Sequence, residues 1–72
     1  MQQYEQKRYE FKKSYTIEAG TIPEGTEVML FRGWAYINGA MADDYSNGLI
    51  KSIINNPAKC KEYLTSLPPI GY

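Results

Sequence analysis

Few side chains in this chain could do chemistry, and their types and spacing favour recognition over bond-making. Histidine is absent and Cys60 is the only cysteine. General acid–base and nucleophilic mechanisms need a base beside a nucleophile, and here the commonest base is missing. Cys60 shares helical spacing with Tyr63, Leu64 and Leu67, which reads as packing. A single thiol cannot form an intrachain disulfide, and without histidine it makes no zinc set. The adjacent Asp43 and Asp44 lack the glycine and ligand spacing of a calcium loop and suit a helix N-cap instead. The expectation is a protein that is not an enzyme, with no metal and no cofactor.

Two constellations remain. The first is basic and aromatic: Lys7, Arg8, Lys12 and Lys13 interleave with Tyr4, Tyr9, Phe11 and Tyr15. Cations and aromatic faces cooperate in platforms that stack single-stranded nucleic acid. Lysines on an outer strand also block edge-to-edge aggregation. Eight basic against eight acidic residues leave little counterion release, so nucleic acid is the alternative partner here. Its candidate residues are Lys7, Arg8, Lys12, Lys13, Tyr9 and Phe11. The charge is unevenly spread, with four basic and two acidic residues in 1–13, one and five in 14–50, and three and one in 51–72.

The second constellation emerges only when the elements that carry it are laid out. Residues 9–17 alternate apolar and polar, broken only at Lys13, and read as a half-buried strand. Pro23 and Gly25 suit positions i+1 and i+3 of a type I turn over residues 22–25. A second strand follows over 26–31. Arg32-Gly33 and Asn38-Gly39 are two-residue hairpin loops, because both central residues of a type I′ turn need positive φ. Counting across these loops sets Phe31 opposite Trp34, Met29 opposite Tyr36, and Tyr36 opposite Met41, all on one face. Val28, Leu30, Ala35, Ile37 and Ala40 share the other.

Asp43 or Asp44 then caps a helix bearing Tyr45, Leu49, Ile50, Ile53 and Ile54 on one side, weakened by Gly48. Asn56 caps a second, with Pro57 at its first position, and Pro68-Pro69 ends it. The residues before the first strand, 2–7, admit three readings, an extension of that strand, a frayed end or a helical turn, and 68–72 are expected to form a tail. The whole of 1–72 reads as one small α+β domain: an antiparallel β-meander of three to four strands followed by two short C-terminal helices.

A sheet covered on one face should alternate apolar and polar, yet this meander is apolar on both. The helices can take the aliphatic face. For the other, two arrangements follow. In one, the strand of residues 9–17 curls over it and makes a half-barrel, and the spacing of the glycine turns resembles that of small SH3-like barrels. In the other the face stays open, and Met29, Phe31, Trp34, Tyr36 and Met41 are anchors for a partner, since Trp, Tyr and Met concentrate at interface cores.

The leading expectation is a small protein-binding module, an inhibitor or regulator of a larger macromolecule, of a size that suits a virus-encoded accessory protein. The alternatives are a single-stranded nucleic-acid-binding barrel and a homo-oligomer subunit that buries the aromatic face against a second copy. The second alternative has force because 72 residues support a core worth only about 3–5 kcal/mol. No apolar run reaches the ~18–20 residues of a membrane span, and residues 1–13 contain no apolar leader core. A cytoplasmic, reducing setting without a membrane partner is expected.

Overall fold

A computed structural model describes residues 6–68. In chain order these form β1 (Gln6–Phe11), β2 (Tyr15–Ile17), β3 (Gly20–Ile22), β4 (Glu27–Phe31), β5 (Trp34–Ile37), β6 (Ala40–Met41), α1 (Asp44–Ile54), α2 (Pro57–Tyr63) and β7 (Leu64–Leu67). The class is the expected α+β, with more strands than the meander alone supplies. A five-stranded antiparallel sheet has the order β6-β5-β4-β1-β7, and β2 and β3 make a separate hairpin.

The meander forms where its turn residues allow it. Arg32 and Gly33 have φ of 56° and 81°, and Asn38 and Gly39 have 49° and 85°, so both loops carry positive φ at both central positions. The register is the one counting gives: Phe31 faces Trp34, Met29 faces Tyr36, and Tyr36 faces Met41.

The expected single strand over residues 9–17 is divided in two. β1 begins earlier, at Gln6, so Gln6 and Lys7 extend the strand, one of the three readings open to them. It ends at Phe11. There the Gly25 N–H donates to the Phe11 carbonyl (2.8 Å) while the Phe11 N–H donates to the Thr26 carbonyl (2.9 Å), so two residues of one strand oppose one of the other. With Gly25 at φ 92° this is a glycine-type β-bulge, which bends the ladder and ends regular pairing. Lys13, the one break in the alternation, lies in the gap between β1 and β2. The preceding turn is shifted by one residue from the expected one: the Thr26 N–H donates to the Pro23 carbonyl, placing Gly25 at i+2 with the positive φ of a type II turn.

At the C-terminal end α2 stops at Tyr63, and Leu64 is already extended (φ −120°, ψ 143°). Leu64 and Leu67, expected on a helical stripe, belong instead to a strand paired with β1. β1 would otherwise have a bare edge, and this ladder supplies its partner groups, including the Tyr63 carbonyl that accepts from the Lys12 N–H at 2.8 Å. Residues 1–5, and the expected tail beyond Pro68, lie outside the described residues.

The core gathers on one face of the sheet. Phe11 and Ala35 are 0% exposed, and Val28, Ala42, Ile50, Ile53 and Leu64 are buried with them. Tyr9, Tyr15, Leu30, Ile37, Leu49, Ile54, Cys60 and Tyr63 pack around this cluster. The hairpin of β2 and β3 joins the same side, where the Tyr15 ring meets the Tyr63 ring edge-on at 4.8 Å. Of the expected helical face, Leu49, Ile50, Ile53 and Ile54 turn inward but Tyr45 is 58% exposed. Asn47 is buried in its stead, because its Oδ1 accepts the Ala35 N–H at 2.9 Å. No helix among the described residues is long and apolar enough to cross a membrane.

Candidate functional site

The opposite face of the sheet is built by strand alternation alone. Its central row crosses all five strands: Met41, Tyr36, Met29, Arg8 and Leu67 are successive neighbours. Beside it runs a shorter row of Trp34, Phe31 and Gln6. On the other side lie Glu27, Glu10 and Thr65. Met41 is 65% exposed. Met29, Phe31, Trp34 and Tyr36 are half-buried, and none of the five belongs to the core cluster of described residues.

β1 does not lie over this face. It pairs with β4 within the sheet and adds Gln6, Arg8 and Glu10 to the same surface. Of the two arrangements open to the sequence, the structure adopts the open one, with β6 and β7 as the sheet's edges. The bulge at Gly25 and the gap after Phe11 direct β2 to the core side, where Tyr15 packs against Phe11 and Tyr63.

Trp34 is held in place by an exchange of partners at the end of β6. The Ala42 N–H donates to the Ala35 carbonyl at 3.0 Å, as a ladder requires. The Ala35 N–H, however, goes to Asn47, and the Ala42 carbonyl accepts the Trp34 indole Nε1–H at 2.8 Å. An indole fixed at its polar end offers a rigid apolar surface with little entropy left to lose.

Arg8 interrupts the apolar row between Met29 and Leu67 and is tied down. Nη2 meets Glu27 Oε1 at 3.1 Å and Nη1 donates to the Pro68 carbonyl at 2.6 Å. Glu10 and Glu27 stand directly opposite each other, a repulsive pairing that Arg8 offsets. The ion pair is half-exposed, worth at most about 1 kcal/mol. Arg8, Glu27, Met29, Tyr36 and Gly39 line a shallow depression of about 110 Å³, room for one small side chain. A wider, open hollow of about 460 Å³ lies between Glu10, Lys12, Glu24, Gly25 and Thr65.

The basic and aromatic residues of the N-terminal strand are not brought together as a stacking platform. Phe11 is wholly buried and Tyr9 packs beside it against the core, so neither presents a free ring to a base. Lys7 is exposed, and Arg8 points to the opposite side from Tyr9. Lys12 borders the wider hollow. Lys13 pairs with Glu62 at 3.0 Å and lies over the Tyr63 ring at 4.9 Å from its centre. Tyr4 lies outside the described residues. The period of two that identified the strand is what separates these side chains onto two faces.

Asp43, of the adjacent acidic pair, is the N-cap of α1: its Oδ1 accepts the Ser46 N–H at 2.7 Å, which holds its carboxyl below the ordinary carboxylate range. Among the described residues no three His, Cys, Asp or Glu side chains gather closely enough to hold a metal ion.

Three members of the picture escape a reading of pattern. Leu67 completes the central row but counts as helical by spacing. Arg8 joins that row but counts as a nucleic-acid contact by composition. Asn47 anchors β5 yet is polar on an apolar helix. The one signal for the last strand is Thr65-Ser66 ahead of two prolines, a β-branched residue followed by one that favours turns.

Fold and face together define a small α+β domain with an open antiparallel sheet, helices on one side and an aromatic, methionine-bearing surface on the other. No protein-family model matches this chain, and no curated protein or solved structure shows significant similarity to it.

Proposed function

We propose that this protein is a small, non-catalytic docking module that regulates or inhibits a protein partner through the open face of its sheet. The observation that carries this reading is the row of Met41, Tyr36 and Met29 beside Trp34 and Phe31, lying outside the core, with no described element across it. Tryptophan and tyrosine are enriched among the residues that dominate binding energy, and methionine is enriched at interfaces. Trp34 is pre-organised by its bond to the Ala42 carbonyl, which lowers the entropy lost on docking.

The test is comparative affinity capture from the native host with the wild-type chain, a Tyr36→Ala/Met41→Glu variant, and a control variant, Lys13→Ala/Glu62→Ala. Circular dichroism and urea unfolding establish that all three fold. Proteins retained by wild type and control but lost with the face variant support the reading. Retention of every captured protein by the face variant at wild-type affinity overturns it.

A further inference from the structure

The size and the border of the open face point to the chemistry of what it binds. Four gaps of about 4.8 Å across the sheet and four steps of about 3.4 Å along β4 make an area near 19 by 14 Å. That is roughly a third of the ~800 Å² each partner gives up in a standard protein interface, too little for a second copy stacked face to face. It matches one helix, about 10 Å wide and three to four turns long, laid along the row from Met41 to Leu67.

The border of the apolar strip is acidic along one flank. There Glu10 and Glu24 share the wide hollow with Lys12. Neither makes an ion pair among the described residues, whereas Glu27 is occupied by Arg8. On this flank Glu10, Glu24 and Glu27 outnumber the cations, Arg8, already tied to Glu27, and Lys12. Met29 and Met41 contribute flexible, polarizable surface that adapts to apolar side chains of differing shape.

We infer that the occupant of this face is a single basic amphipathic helix of a partner protein. Its apolar stripe lies on Met41, Tyr36 and Met29, and its lysines or arginines reach Glu10 and Glu24 along one flank. This rests on the docking role proposed above and adds the partner's charge and secondary structure, following the helix-in-groove mode of recognition.

The experiment titrates the full chain with two 18-residue model helices of identical leucine spacing, one with lysine and one with glutamate at every polar position. Trp34, the only tryptophan, reports binding by its fluorescence. The leucine–lysine helix is expected to shift Trp34 emission, to bind more weakly as salt rises, and to lose about fivefold or more in affinity with Glu10→Gln/Glu24→Gln. Equal or tighter binding of the leucine–glutamate helix overturns the basic partner while leaving a docking face. Silence of Trp34 with both helices overturns the inference as a whole, and the docking reading is then judged on the capture comparison alone. Sedimentation showing a dimer that buries Trp34 also overturns it, since the occupant would be a second copy.

Discussion

The two faces of the sheet are made by the same strands, and on β5 from similarly apolar residues, yet one became the core and the other did not. On the core face stand Tyr9, Phe11, Val28, Leu30, Ala35 and Ile37. On the open face stand Arg8, Met29, Phe31, Trp34 and Tyr36. On β1 the open face is polar, but on β5 apolar content does not distinguish them; the volume at its centre does. Ala35 is small enough for α1 to come close, so close that the Asn47 side chain reaches the Ala35 backbone N–H. Trp34 and Tyr36 on the reverse side are bulky enough to hold a helix farther away. A core thus forms where backbone approach and hydrogen-bond partners coincide, and bulky apolar surface without both is left for other uses.

The largest expected effect that tests this contrast is Phe11→Ala. Emptying a fully buried aromatic site costs about 3–5 kcal/mol, comparable to all that a domain of this size has, so the variant should be largely unfolded at room temperature by circular dichroism. Next comes Asn47→Ala, which leaves the Ala35 N–H buried without a partner. A loss of about 1–3 kcal/mol in urea unfolding is expected, and a neutral result would show that α1 is held by apolar contact alone.

On the open face the same truncation should be nearly silent. Met41→Ala is expected to change stability by no more than about 0.5 kcal/mol, because the side chain is 65% exposed. A cost approaching that of Phe11→Ala would erase the distinction between the faces. The smallest effect concerns pH. The Asp43 carboxyl titrates lower when folded than when unfolded, so its contribution is complete above the ordinary carboxylate pKa and fades as pH falls through the lowered value. Asp43→Asn should therefore flatten part of the acid-side decline in the urea midpoint between neutral and acidic pH. An unchanged profile would remove Asp43 from the set of groups responsible.

Much of the molecule is legible in its local chemistry. The two loops with positive φ are demanded by Arg32-Gly33 and Asn38-Gly39, and once they close, the placement of Met29, Phe31, Trp34, Tyr36 and Met41 on one face follows from the period of the strand. The helix starts are equally readable. Asp43 and Asn56 accept backbone N–H groups that no helix satisfies for itself, and the missing N–H of Pro57 costs nothing at a first turn.

The sequence by itself therefore determined what depends on neighbours within a few residues: turns, caps, strand alternation and the faces that result. Only the tertiary structure decided what depends on a distant partner. Leu64 and Leu67 are strand because β1 offered them an edge, and Arg8 stands in the apolar row because Glu27 and the Pro68 carbonyl receive it there. Asn47 is buried because the Ala35 N–H lacked an acceptor. Each of these is set by a backbone or charged group that must find its complement across the fold, a requirement no local pattern records.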